Sequence, residues 1–268
     1  MSVIPNTWGP DQLFAFSGME GPTRAASPMV AHTLGDRIGV RIFFDPAIEL
    51  WCQASRGQDP GRKYPRCQPR FEIVTGDAIR LQVRFTDGEE GRLAFAPVDQ
   101  DTFAGKTIRS LPPWWSAGES AGRPLGAGRY LHRGAEGVAV LVVREQGGIL
   151  RFALAHDQTE DGALAKAEGG LHADIDGLID ARRRWVESIE LPARLPDSLS
   201  MTYRKAVTVM RVNTCRPEGQ VRHCWTTPDR WPHRWMWLHD SAYHVAGHVH
   251  HFPDLAKDML AAVFDTQE

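Results

Sequence analysis

Strict alternation of apolar and other residues marks the first half of the chain. Ile38, Val40, Ile42 and Phe44 alternate with Gly39, Arg41 and Phe43, the period at which a strand buries one face. Ile79, Leu81, Val83 and Phe85 alternate in the same way with Arg80, Gln82 and Arg84, and Asp87-Gly88 follows as a turn signal. Further strands are expected at residues 92–96, 138–143 and 149–155, the last two separated by Gln146-Gly147-Gly148. Short strands with glycine-rich turns and no helices between them predict an antiparallel β-sandwich. Residues 1–35, rich in Gly, Pro and Ser and without a period, are expected to wrap irregularly over a neighbouring surface, and residues 57–69 read as an exposed loop.

After His156 the apolar positions recur every three or four residues. Leu171, Ile175, Leu178, Ala181 or Arg182, Trp185 and Ile189 make one helical face, with Asp174, Asp180 and Arg183 between them, and Pro192 and Pro196 end it. A second helix opens with Asp197 or Ser198 as N-cap and carries Leu199, Tyr203, Ala206, Val207 and Met210 on one face. A third is expected near Asp240 and a fourth near Pro253, with Leu255, Met259 and Val263 inward, while residues 215–238 form an irregular excursion. The pattern therefore divides into a β-domain with an irregular arm at 1–157, a linker helix at 158–195 and a helical domain beginning at 196–268, an α+β multidomain chain.

Composition narrows the functional classes. Thirty-one basic against 33 acidic residues leave a formal charge of -2, which provides no broad field for nucleic acid or anionic lipid. Residues 1–10 lack a basic stretch followed by an apolar core, and no run of about 18 uncharged apolar residues occurs, so a cytoplasmic protein without membrane spans is expected. Cys52, Cys67, Cys215 and Cys224 form no CxxC pair, which predicts reduced thiols rather than a disulfide framework or thiolate zinc site. Tryptophan is over-represented, and Trp114, Trp115, Trp225, Trp231, Trp235 and Trp237 cluster. Flat indole rings suit the apolar faces of sugars, though they fill cores equally well.

The densest chemistry lies at residues 226–244. Arg230, Trp231, His233, Arg234, Trp235, Trp237, His239, Asp240 and His244 surround the expected start of a helix. A neutral polyhydroxylated ligand needs fixed donors and acceptors plus aromatic planes to stack on, and all of these residue types are present. Near a helix N-terminus, backbone N–H groups would stabilise the charge of Asp240, leaving its carboxylate to accept two hydroxyls.

This run resembles a segment of glycoside hydrolase family 63 and its mannosylglycerate-hydrolase-like and trehalase-like relatives, inverting α-glycosidases built on an α/α toroid. There, an aromatic-rich turn leads into Trp-Asp-Ser or Trp-Asp-Thr, then an aromatic and a polar residue. Here Trp237-Leu238-His239-Asp240-Ser241-Ala242-Tyr243-His244, preceded by Arg230-Trp231-Pro232, is similar, with Leu238 and His239 separating Trp237 from the carboxylate, so Trp231, Trp235 and Trp237 all remain candidates for the stacking plane. His251–Ala256 is also similar to the second toroid helix. The likeness is close over residues 198–264 and architectural over the β part.

The resemblance implies an antiparallel β-sandwich, a linker helix and the first helices of an incomplete α/α toroid. It implies an α-linked sugar or glycoside as ligand, glucosidase-like or mannosylglycerate-hydrolase-like, and no cofactor or metal. Its substrate-binding residues are Asp240, Trp237, Trp235, Arg230, Trp231, His239 and His244. The family's general acid, in a Gly-Trp-Asp motif, and its general base have no counterpart in this sequence and are expected downstream of Glu268, so no catalytic residue is assigned here. An inactive fragment is therefore expected, whose apolar faces are completed by the remaining toroid or by self-association. Other readings are a non-catalytic carbohydrate-binding or interaction module, with Trp114-Trp115 as a stacking platform or a loop anchor, and a metal site on the i,i+4 pair His244 and His248. HExxH is absent. Gly118-Glu119-Ser120-Ala121-Gly122 matches a nucleophile elbow in letters, but flanking prolines predict a loop. Gly126-Ala127-Gly128 lacks the rest of a phosphate-binding loop and reads as a turn.

Overall fold

The computed structural model describes residues 14–19, 29–33, 39–43, 47–51, 67–73, 78–85, 90–108, 115–117, 123–134, 137–217, 219–228 and 235–267, the strands before residue 78 and at 115–117 by backbone alone. β1 (Phe14–Met19), β2 (Met29–Thr33), β3 (Gly39–Phe43) and β4 (Ala47–Trp51) form an antiparallel meander that β9 (Trp115–Ala117) joins in parallel beside β4. The arm expected to be irregular thus contributes two strands. Phe14-Ala15-Phe16 runs into Ser17-Gly18, and the pairing register shifts between Phe16 and Gly18, so no alternation long enough to read survives there. The loop expected at 57–69 is described only from Cys67, which opens a strand.

A second, larger sheet comprises β5 (Cys67–Ile73), β6 (Ile79–Phe85), β7 (Glu90–Pro97), β8 (Thr102–Ile108), β10 (Arg123–Gly126), β11 (Arg129–Gly134), β12 (Gly137–Gln146) and β13 (Ile149–Asp157). Its order is β10-β11-β12-β13-β8-β7-β6-β5, antiparallel throughout. Gly126-Ala127-Gly128 turns the β10–β11 hairpin with positive φ at all three residues. One face of the sheet carries Ala94, Ala96, Ala104, Val138, Val140, Val142, Ala153 and Ala155, and helices cover it: α1 (Glu160–Gly170) and α2 (Ile175–Glu187) lay Ala163, Ala167, Ile175 and Ile179 there. The opposite face is also buried and holds Phe95, Phe103 and Phe152, with centroids 5.0 and 6.5 Å apart along the series.

The single linker helix expected at 158–195 is therefore two helices, both docked on the sheet. α1 escapes a periodicity reading because its buried positions are Ala163, Ala167 and Gly170, too small to make an apolar stripe. Their size is what the packing requires, since a Cβ on Gly170 would stand 2.9 Å from the Ala153 Cβ. Thr159 caps α1 by accepting from the Gly162 N–H, and Asp174 caps α2 by accepting from Gly177. Charge pairs at the rim fix both helices: Arg80 to Asp180 at 3.0 Å, Lys106 to Asp176, and Arg129 and Arg144 to Glu168.

Beyond Pro196 the chain is helical with a short ribbon. α3 (Asp197–Val212) has Pro196, not Asp197 or Ser198, at its N-cap, and no side chain caps it. Its buried face is Val207, Thr208, Arg211 and Val212, and Tyr203 and Met210 pack beside Trp185, Ile189 and Phe252, whereas Leu199 and Ala206 are exposed. The apolar stripe is thus split between an inward and an outward side. β14 (Thr214–Cys215) and β15 (Trp225–Thr226) pair within the excursion expected to be irregular. α4 (Leu238–His248) and α5 (Pro253–Asp265) complete the described chain, α5 with proline in its first turn and Ala256, Met259 and Ala262 inward. Arg216, just past β14, reaches Asp101 at 2.9 Å, and Lys166 of α1 bridges Asp101 at 3.3 Å and Asp157 at 3.0 Å, which ties the ribbon to the sheet and its helix. Burial works to raise the Asp101 carboxyl, but Arg216 and Lys166 outweigh it and hold the group below the usual carboxylate range. The chain is α+β, built on a large antiparallel sheet, and no described helix is long and apolar enough to cross a membrane.

Candidate functional site

The start of α4 collects most of the polar and aromatic residues singled out by sequence. Trp237 is its N-cap residue in extended backbone, and Asp240 lies in the first turn. Three stripes run along the helix. Ser241 and His248 point into the protein and are 1% and 0% exposed; Asp240 and His244, one turn apart, are partly exposed; His239 and Tyr243 face outward, their rings 5.2 Å apart. Trp235 and Trp237 are not core residues, being 60% and 46% exposed, unlike Trp225 and Trp185, which are buried. Arg230 and Trp231 lie outside the described residues, as do Trp114 and Ser120, and Trp115 is described by backbone alone. Glu268, after which the resemblance puts the general acid and base, also lies outside the described residues.

The ribbon sets the floor of the site. Thr226, buried on β15, places its Oγ1 2.7 Å from His244 Nδ1 and 3.4 Å from the Asn213 carbonyl, which also accepts the Thr227 N–H. The Asn213 side chain donates to the Pro228 carbonyl at 3.0 Å. On the far side, Asp265 of α5 accepts from the Arg222 and His223 N–H groups and contacts His223 Nδ1 at 2.9 Å, while Asp258 accepts from the Cys224 N–H. Two carboxylates of α5 thus hold the loop that leads into β15. No motif marks Thr226 or Asn213 as site residues; β14–β15 pairing brings them under α4.

The histidines divide by environment. Burial pushes His244 below its ordinary range, with the Asp240 charge opposing, so the ring is neutral at pH 7. His248 is pushed down to about 4 by burial and by the Arg211 charge, with the nearby Met210 backbone opposing, and neither of its ring nitrogens closes a hydrogen bond of normal geometry. His251, past the end of α4, contacts the Tyr203 hydroxyl at 2.8 Å. His248, unlike His244, is sealed, because its position falls on the stripe that meets α3 and Phe252. The i,i+4 pair His244 and His248 does not present two free nitrogens to one ion, since His244 Nδ1 is engaged and His248 is sealed; among the described residues, no three His, Cys, Asp or Glu side chains come together as metal ligands. Cys215 is buried and Cys224 partly so.

The class defined by this geometry is an α+β protein that presents exposed indoles, a phenol, a carboxylate and a neutral imidazole around the first turns of one helix. No family model matches the chain, and no curated protein matches it.

Proposed function

We propose that the chain binds an α-linked sugar or glycoside at the start of α4, as the sugar-holding part of an inverting α-glycosidase of the family 63 type. The meander and large sheet serve as its β-sandwich, and α3–α5 as the first toroid helices. The observation that carries this reading is exposure. Trp235, Trp237 and Tyr243 leave large aromatic surfaces in water around Asp240, where a sugar's apolar face would stack and its hydroxyls reach a carboxylate at a helix N-terminus. An inverting glycosidase needs an acid and a base about 6.5–9.5 Å apart. The resemblance puts the acid in Gly-Trp-Asp, which this sequence does not contain, so the reading is binding without cleavage.

Titration of D-glucose, D-mannose and trehalose, followed by tryptophan fluorescence and calorimetry, is expected to give saturable binding to at least one. Asp240→Asn should weaken it by about 10- to 100-fold, the range for losing a charged hydrogen-bond partner. Equal affinity in wild type and Asp240→Asn sinks the assignment of Asp240, and hydrolysis of an α-glycoside by the chain overturns the claim of binding alone.

A second observation supports the toroid reading. Of the eleven large apolar residues left exposed among the described side chains, all but Ile149 lie between Leu199 and Phe264, on α3–α5 and the turn before α4. Leu199, Met201 and Val209 mark the outer side of α3, and Leu260 and Phe264 that of α5. Apolar helical surface, from further toroid helices or a second copy, is the partner these faces fit. Gel filtration with light scattering is expected to show mass rising with concentration, and a monodisperse monomer throughout the range counts against it.

A further inference from the structure

We infer that His244 carries its proton on Nδ1 and offers the lone pair of Nε2 beside Asp240, so that the two side chains form a pair of acceptors matched to two hydroxyls of a neutral polyol. The inference rests on the sugar reading above for its ligand, but the tautomer itself follows from the ribbon.

Thr226 has one hydroxyl proton and two close partners. Its Oγ1 stands 2.7 Å from His244 Nδ1 and 3.4 Å from the Asn213 carbonyl. If the hydroxyl donated to Nδ1, the Thr226 and Asn213 oxygens would face each other with lone pairs only, inside a site where Thr226 is 1% exposed and water cannot intervene freely. If instead Nδ1–H donates to Thr226, the hydroxyl is released to donate to Asn213, and both contacts are hydrogen bonds in one chain: imidazole to hydroxyl to carbonyl. The Asn213 carbonyl takes this second donor on its other lone pair, having the Thr227 N–H at 3.1 Å on the first. The Nδ1–H tautomer is the one in which the Thr226 hydroxyl makes a hydrogen bond to each of its two close partners.

The consequence is at the other ring nitrogen. Among the described residues nothing hydrogen-bonds Nε2, and the ring is partly exposed. Asp240 is four residues earlier on the same helix, close enough for its charge to act on the imidazole. A carboxylate and an imidazole lone pair side by side accept and do not donate. They select ligands with two neighbouring hydroxyls and discriminate against anions, carboxylates included, which bring no protons. Thr226 is thus a positioning residue, acting on the ligand only through His244.

The test uses the full chain labelled with ¹⁵N-histidine. Two-bond ¹H–¹⁵N correlation of the His244 ring at pH 7 is expected to show the Nδ1–H pattern, and an Nε2–H pattern overturns the inference. Adding D-mannose or D-glucose should move the Nε2 resonance and leave Nδ1 nearly still. If neither sugar binds while the Nδ1–H pattern is present, the sugar reading fails and the tautomer stands; if a sugar binds without moving Nε2, the acceptor pair is wrong and the sugar reading stands. Thr226→Ser, which retains the hydroxyl, should preserve the pattern and the affinity. Thr226→Val should release the tautomer and weaken sugar binding about tenfold, with the far-ultraviolet circular dichroism unchanged; a valine variant that keeps both pattern and affinity overturns the role of Thr226.

Discussion

Gly105→Ala is expected to destabilise the protein by about 2–3 kcal/mol and lower its thermal midpoint by about 5–10 °C, although it adds a single methyl group. Gly105 lies in the middle of β8, paired with Phe95 on one side and Phe152 on the other. A Cβ built there falls 2.4 Å from Phe152 Cζ, 2.7 Å from Cε1 and 3.0 Å from the Ala94 carbonyl oxygen. The ring has nowhere to retreat. It is fully buried, and Phe103, which itself packs on Phe95, lies 6.5 Å away centroid to centroid. The glycine is there to admit a ring, and no unusual backbone angle is involved. Phe152→Leu should therefore recover part of the loss in a Gly105→Ala background while being destabilising on its own. Denaturation of the four proteins measures that coupling, and strictly additive effects would show that the glycine is not paired to the ring.

The same strand explains which parts of the fold are legible in sequence. β6 is readable because Ile79 is buried on one face while Arg80 emerges on the other to reach Asp180, giving polar and apolar positions in turn. β8 has no such signature. Thr102, Ala104 and Lys106 face the helices, Phe103, Gly105 and Thr107 the opposite side, and each residue but Lys106, which pairs with Asp176, is chosen for size against a neighbour and not for contact with water. α1 is hidden for the same reason, its inward positions being alanine and glycine. α2 is legible through Ile175, Ile179 and Trp185, which are large.

The site is half legible on comparable grounds. Residue types alone mark Asp240, Trp235, Trp237, His239 and His244, since their chemistry is local to one segment. Their sorting into stripes is not readable, because it depends on which side of α4 meets α3, β15 and α5. His248 looks as polar as His244 in sequence, yet one is sealed and the other partly exposed. Thr226 lies 18 residues before His244 and becomes its partner only when the ribbon folds under the helix. Long-range placement is the link that periodicity does not carry.

The sealed histidine gives the second large effect, an acid sensitivity. His248 is 0% exposed, neither ring nitrogen closes a hydrogen bond of normal geometry, and its pKa falls to about 4 against an ordinary 6.5. The fold accepts only the neutral ring, whereas the unfolded chain takes up a proton near pH 6.5. Between those values the unfolded state binds more protons, so stability is full above about pH 6.5 and declines as the pH falls toward 4, by about 3 kcal/mol from this group. His244, His251 and His156 are lowered in the same sense, each mainly by burial, and add to the slope. The depressed carboxylates Asp101 and Asp176 work in the same direction but at lower pH, below the ordinary carboxylate value of 3.8, so the window from 6.5 to 4 belongs to the histidines. His248→Leu, close in volume and without polar atoms, is expected to keep or raise stability at pH 7 and to flatten the decline by about half. Urea midpoints measured from pH 7.5 to 4 on wild type and His248→Leu decide it: parallel curves would mean that His248 is not the residue through which acid acts.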